Sequence, residues 1–298
     1  MTIKKGMLNS FGFTLVEILV VVVIMGLVIS SVYGLFVSNN KTANTSEEVV
    51  DVQQNLRVAI ETIASDVRMS GFLLQSGQQA VTNAPDFFSI DTDGDDSPDS
   101  APFSINTVSA GNNYARVLSE SSDGSGLLVE ADMSQFFKTG DLVSIFRPTT
   151  RNKVSGVWTV GSVSGNKISI STSTYAAGSI NSGDMIVKKN NGESEVANIR
   201  YWLRPSPGEG NNVFELIRDD GSALGPIVIS NKISEVDLGY LMDNGNILNS
   251  TSDLEKIRGV QMTISAETDN TKTGLSNYSG VKRRSMQTLI AIRNNIGD

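Results

Sequence analysis

The first residue whose type and position could do chemistry is a single glutamate at the start of an apolar run. Glu17 is followed by residues 18–40, which contain no charged side chain. A charged group at bilayer depth costs at least about 2.5–3.5 kcal/mol on insertion scales, and such groups usually have a function. We therefore predict a functional role for Glu17, although a glutamate that only reaches up to the membrane interface is the alternative.

The second candidate is the aspartate-rich stretch "DTDGDDSPDS", residues 91–100. Carboxylate oxygens at this density are the ligands that Ca²⁺ prefers. The stretch is not an EF-hand, because that motif needs a glycine at its sixth position and a glutamate at its twelfth, where Asp96 and Pro102 stand. It resembles a single copy of the aspartate-rich repeats of thrombospondin type 3 modules. The predicted calcium ligands are Asp91, Asp93, Asp95 and Asp99, and the alternative is a solvated acidic loop.

The composition makes catalysis and nucleic-acid binding unexpected. The 298 residues include no cysteine and no histidine, which removes thiolate nucleophiles, the commonest general base and the commonest transition-metal ligands. The net charge of −8 disfavours direct binding of nucleic-acid phosphates. We therefore expect a protein that is not an enzyme and has no nucleic-acid partner.

The apolar run must be positioned by a helix. Residues 18–37 have about the length that a helix needs to cross a hydrocarbon core. Lys4 and Lys5 precede the run, and the positive-inside rule then predicts a cytoplasmic N-terminus with the rest of the chain outside. A cleaved secretory signal is disfavoured because the run is long and no A-x-A pattern follows it. A simple single-pass anchor is a further alternative, but it leaves Glu17 unexplained.

The residues "GFTLVE", Gly12 to Glu17, resemble the leader and mature N-terminus of type IV pilins. The resemblance implies that a prepilin peptidase cleaves after Gly12, that residues 1–12 form the leader, and that Phe13 becomes the N-methylated first residue. It also implies that Glu17 pairs with the N-terminal amine of a neighbouring subunit and thereby acts in subunit recruitment. A subunit in register supplies the cation, whereas one out of register leaves the charge unpaired.

The helix is predicted to continue beyond the membrane. Residues 13–38 form the transmembrane or filament-core part, and residues 39–72 repeat apolar side chains at helical spacing, with a possible break near 39–44. Gly71 ends the pattern. Residues 73–109 are rich in Ser, Asp, Asn, Gln and Gly, and we predict a polar, aspartate-rich loop region there.

Residues 110–298 predict a β-rich head. Short β-branched runs alternate with Gly, Asn, Ser and Asp turns, and "SVSGNKIS" predicts a tight hairpin. No room is left for the crossover helices of a parallel sheet. The predicted fold class is α+β, with a long N-terminal helix packed on a C-terminal antiparallel β head.

The C-terminal third resembles PilW-type minor pilins in the order of "IRYWLRPS", "NNVFELIRDDG", "PIVISNKISEVDLGYLMDNG" and "RRSMQTLIAIRNN". That resemblance implies a minor pilin of the inner membrane, and then of the pilus or cell surface, that primes type IV pilus assembly with major and other minor pilins. Twitching motility, adhesion or DNA uptake would be the role of such a pilus. The alternatives are a GspJ-like minor pseudopilin of type II secretion and an adhesin displayed at the pilus tip.

Overall fold

A single long helix leads into the rest of the chain. The computed structural model describes residues 13–74, 77–108, 114–120, 126–150, 152–154, 156–170, 179–189, 196–207, 213–222, 225–268 and 282–292. Helix α1 runs without interruption over Leu15–Met69, so it has no break near residues 39–44. At about 1.5 Å per residue it is about 80 Å long. Ser70 caps its C-terminus, and Gly71 follows at a φ of 77°, which ends the helix where the sequence predicts.

The second half of α1 carries the apolar face that holds it to the head. Its fully buried side chains recur every three or four residues and pack against strands of the C-terminal part. In the first half, residues 15–36 are all exposed. The buried face consists of Val52, Leu56, Ala59, Ile63, Ala64 and Val67.

The described residues also form fifteen strands, one short α-helix, α2 (Ala131–Ser134), and one 3-10 helix (Leu254–Lys256). The strands are β1 (Val81–Asn83), β2 (Phe103–Thr107), β3 (Tyr114–Glu120), β4 (Leu127–Val129), β5 (Leu142–Arg147), β6 (Asn152–Lys153), β7 (Trp158–Ser164), β8 (Lys167–Ile170), β9 (Met185–Lys188), β10 (Ala197–Pro205), β11 (Phe214–Asp219), β12 (Ile227–Met242), β13 (Ile247–Leu248), β14 (Ile257–Glu267) and β15 (Arg283–Ala291).

The larger sheet supports the helix. It has eight strands in the order β1-β2-β10-β11-β12-β14-β15, with β13 also paired to β12. All of these ladders are antiparallel. Helix α1 packs on β12, β14 and β15, and the shared core includes Tyr240, Val260 and Met262. The predicted α+β class, with a long N-terminal helix on an antiparallel β head, is confirmed.

The smaller sheet closes on itself. Strand β5 pairs with both β7 and β9, so the six strands β5-β7-β8-β4-β3-β9 form a ring, and β6 pairs with β5 outside it. A closed ring protects its strand edges. The ring encloses its own hydrophobic core, which includes Trp158, Leu127 and Ile145. The predicted hairpin is present, with Ser164 paired to Lys167 across the turn.

The ring is inserted into the larger sheet. The chain leaves that sheet after β2 and returns at β10, and Thr107 and Ala197 are direct partners in the β2–β10 ladder. A small apolar cluster, Leu74, Val108, Phe146 and Val187, joins residues of the two parts. The head therefore has two lobes: a sheet lobe that holds α1, and an inserted ring lobe.

The structure differs from the sequence prediction over residues 73–109. This predicted loop region contributes β1 and β2 to the larger sheet. Phe88 and Phe103 are buried there, with ring centroids 5.9 Å apart. Strand β2 is buried on both faces, so it lacks the alternation of apolar and polar residues by which a half-buried strand is recognised.

Candidate functional site

The first turn of α1 gives Glu17 a local partner. Thr14 is the N-cap residue, and its hydroxyl accepts a hydrogen bond from the Glu17 backbone N–H at 3.3 Å. In return, the Thr14 backbone N–H donates to Glu17 Oε2 at 2.9 Å, and the Thr14 hydroxyl also donates to this oxygen at 3.0 Å. This reciprocal arrangement is a capping box. It holds the Glu17 carboxylate at the positive end of the helix dipole.

The structure thus places two of the three predicted N-terminal site residues. Phe13 and Glu17 lie at the start of α1, Phe13 just before the cap and Glu17 in the first turn. Gly12 lies outside the described residues. The sequence reasoning missed Thr14, although the pattern Thr-x-x-Glu before an apolar run is a known capping signal that could have identified it.

Beyond this turn, residues 18–36 of α1 present apolar side chains on all sides, and none of them is buried against another described residue. Residues 15–35 are all exposed, and the most apolar window of the helix has none of its residues buried. The Ser31 hydroxyl donates a hydrogen bond to the Leu27 carbonyl of the same helix at 2.9 Å. A helix that is apolar all round needs lipid or other helices as its surroundings. By length and composition this helix can span a membrane.

Comparison with known proteins finds a motif match at this end of the chain. Residues 7–33 match the prokaryotic N-terminal methylation motif. No curated protein matches the chain. The motif and the apolar helix together support a type IV pilin-like protein that is anchored in the membrane by a single pass. A prepilin-type leader implies processing by prepilin peptidase and assembly with other pilins in the membrane.

The aspartate-rich stretch forms a second candidate site on the sheet lobe. Ile90 forms a bridge with Leu203 in β10, and the Asp91 backbone N–H donates to the Leu203 carbonyl at 2.8 Å. Asp91 is fully buried, whereas Asp93 and Asp99 are exposed. One carboxylate oxygen from each of these three residues lies within 4.8 Å of the other two. This group could hold a cation.

The other two aspartates of the stretch have different positions. The Asp95 carboxylate accepts a hydrogen bond from the Ser97 backbone N–H at 2.8 Å and is not a member of the group. Asp96 is paired with Arg204 of β10, whose guanidinium also binds Glu215 at 2.7 Å. The structure therefore brings together three of the four predicted ligands, Asp91, Asp93 and Asp99.

A polar cluster fixes the helix to the sheet lobe. Asp66 of α1 accepts hydrogen bonds from the Tyr201 hydroxyl and from Arg218 Nε, the latter at 2.7 Å. Burial, together with the charge of Asp66, raises the pKa of Tyr201 well above its ordinary value. Burial alone would lower the pKa of Arg218, but the hydrogen bond and charge of Asp66 outweigh it and raise that pKa. No spacing in the sequence links these three residues.

Proposed function

We propose that this chain is a minor pilin of the PilW type that helps to prime type IV pilus assembly. The head would face the periplasm while the helix is in the inner membrane, and the subunit would then enter the pilus at or near its tip. The observation that carries the proposal is the N-terminal turn. A methylation motif and a capped glutamate stand at the head of an exposed apolar helix.

The glutamate would act by pairing with a cation from a neighbouring subunit. Cleavage after Gly12 would create an amine on Phe13, four residues before Glu17. In a bundle of such helices, the amine of a subunit in register can reach this carboxylate, whereas a subunit out of register leaves it without a cation. Removing one partner of a buried ion pair costs about 3–5 kcal/mol, so the pair selects the register more than it adds stability.

The size of the head favours a subunit present in few copies. The strands of the sheet lobe and the ring lobe together extend from Val81 to Ala291. Such bulk is easier to accommodate at a tip or in a priming complex than at every position of a thin fibre. We assign the chain a structural role rather than an enzymatic one, in a pilus that would support adhesion or twitching motility.

The proposal is tested by counting surface pili by electron microscopy. A strain that lacks this chain is compared with strains that carry the wild type, Glu17→Ala, or the control Glu47→Ala, which removes an exposed carboxylate beyond the apolar run. We expect the deletion to lose pili, and we expect the wild type and Glu47→Ala to restore them. Glu17→Ala should restore them poorly at equal protein level by immunoblot.

Two outcomes would count against the proposal. Normal pili in the deletion strain would remove the priming role and favour a GspJ-like pseudopilin, since both share the methylation motif. Export of extracellular proteins would then be the assay. Full restoration by Glu17→Ala would show that the glutamate does not act in recruitment.

A further inference from the structure

We propose that Asp91, Asp93 and Asp99 bind a calcium ion that closes the base of loop 91–99 and holds it against β10. The proposal concerns the sheet lobe and does not depend on the pilus function. It also changes the ligand set expected from the sequence, because Asp95 is left outside it.

The spacing of the carboxylates fits this ion. Calcium binds oxygen ligands at about 2.3–2.6 Å, so two oxygens on one ion are at most about 5 Å apart. The three oxygens of the group lie within 4.8 Å of one another. Three carboxylates leave coordination positions for backbone carbonyls and water, as is usual for this ion.

A buried oxygen points independently to a ligand. The Oδ1 atom of Asp91 accepts a hydrogen bond from the Gly94 backbone N–H at 2.7 Å. The Oδ2 atom of the same side chain is buried and has no hydrogen-bond partner among the described residues. Asp91 as a whole has 0% relative exposure. Because buried polar atoms are almost always partnered, an unpartnered oxygen on a buried carboxylate that is grouped with two further carboxylates indicates a bound cation.

Within the part of the chain that the structure describes, no lysine or arginine forms a salt bridge with Asp91, Asp93 or Asp99. The guanidinium of Arg204 reaches the loop, but it pairs with Asp96 and with Glu215. Asp99 accepts from the backbone N–H of Thr92 at 3.1 Å, which is a neutral donor. The carboxylates of Asp91, Asp93 and Asp99 therefore repel one another unless a cation lies between them.

The ion would join the two ends of the loop. Asp91 is hydrogen-bonded to β10 through its backbone, and Asp99 precedes Ser100, whose N–H donates to Ser89 Oγ at 3.0 Å. Bridging Asp91 to Asp99 thus closes the loop where it leaves the sheet. A site with two exposed ligands is expected to be weak, in the range of about 10⁻⁴–10⁻³ M that is typical of extracellular modules.

The test is calorimetric titration of the full chain in detergent with CaCl₂, after removal of bound metal by a chelator. Asp93→Asn and Asp99→Asn each remove one charge of the group at an exposed position, and Asp95→Asn is the matched control in the same loop. We expect one calcium site in the wild type and affinity that falls about tenfold or more in the first two variants. Asp95→Asn should bind as the wild type does.

A second measurement reports on the loop itself. Hydrogen–deuterium exchange of the backbone amides of residues 91–99 should be at least about fivefold slower with calcium than with chelator in the wild type and in Asp95→Asn. Calcium should give no such protection in Asp93→Asn or Asp99→Asn. Absence of calcium binding in the wild type, equal loss in Asp95→Asn, or equal affinity for MgCl₂ would each overturn the proposal.

Discussion

At the N-terminus of α1, the capping box and the proposed recruitment role of Glu17 are compatible. The peptide bond that joins Phe13 to Thr14 supplies the N–H that Glu17 accepts, and this bond is not the one that leader cleavage would break. The local arrangement can therefore survive processing. It would hold the carboxylate in one orientation, ready for an incoming amine, which reduces the conformational entropy lost when the pair forms.

The buried tyrosines of the sheet lobe determine how the head responds to alkali. The Tyr201 hydroxyl is bonded to Asp66, and the Tyr240 hydroxyl donates to the Pro85 carbonyl at 2.7 Å. Burial raises the pKa of both phenols, with a further contribution from Asp66 for Tyr201 and from Asp86 for Tyr240. In the unfolded chain a tyrosine titrates near about pH 10. The folded state therefore keeps both protons at a pH where the unfolded state loses them.

We predict that the free energy of unfolding falls above about pH 10, by up to about 1.4 kcal/mol per pH unit for each tyrosine. This stability is fully present below the unfolded pKa and is lost as the pH rises. Tyr240→Phe should lower stability at neutral pH by removing a hydrogen bond, but it should make the alkaline slope shallower. Urea unfolding followed by tryptophan fluorescence at pH 8–11 measures both effects, and parallel slopes in the two proteins would contradict the prediction.

At the scale of elements, the sequence predicts the helix and the turn that are determined by local residue patterns. The apolar run and the spacing from Val49 to Val67 predict α1, and the Gly165–Asn166 turn predicts the β7–β8 hairpin. The closure of the ring could not be predicted, because the β3–β9 and β5–β9 pairs join segments far apart in the chain.

The same limit applies to the candidate sites. The isolation of Glu17 in an apolar run is visible in the sequence, and its partner Thr14 lies three residues away. For the aspartate-rich stretch, the alternation of aspartates in the sequence predicts a carboxylate cluster. It does not predict which aspartates belong to that cluster. Asp95 bonds to Ser97 within its own turn, whereas Asp99 returns to the base of the loop, where its N–H donates to the Ile90 carbonyl. Which aspartates join the cluster depends on the path of the loop, and this path is fixed by the contact with β10.

The ring lobe is predicted to be dispensable for folding of the sheet lobe. Because Thr107 and Ala197 are ladder partners, Val108 and Val196 can be joined by an Asn-Gly turn in place of residues 109–195. The shortened chain should keep α1 and the larger sheet, with some loss of stability because Leu74 and Val108 lose their contacts with the ring lobe.

Circular dichroism and the urea midpoint of the shortened chain measure this outcome, with the fluorescence of Trp202 reporting on the sheet lobe alone. A chain that no longer unfolds cooperatively would show that the two lobes fold as one unit. A matched deletion that removes β10 as well should abolish folding, since β10 joins β2 to β11 in the larger sheet.

At the scale of the whole molecule, the apolar N-terminal part of α1 is exposed, and only the later part of the helix is buried against the head. The buried face of the helix begins at Val52, and the residues from Leu15 to Leu35 are exposed. We predict that a chain beginning at Lys41 is soluble without detergent. It should keep the melting temperature of the full head to within about 3 °C, because no buried contact is removed.

The matched comparison is a chain that begins at Glu61, which also loses Val52, Leu56 and Ala59 from the buried face. Truncating a single buried aliphatic side chain to alanine costs about 2–5 kcal/mol, and a domain has a total stability of only about 5–15 kcal/mol. This chain should therefore aggregate or fail to unfold cooperatively. Calorimetry and gel filtration distinguish the cases. If the chain from Lys41 aggregated as well, residues 13–40 would contribute to the fold of the head and could not be simply an anchor surrounded by lipid or by neighbouring helices.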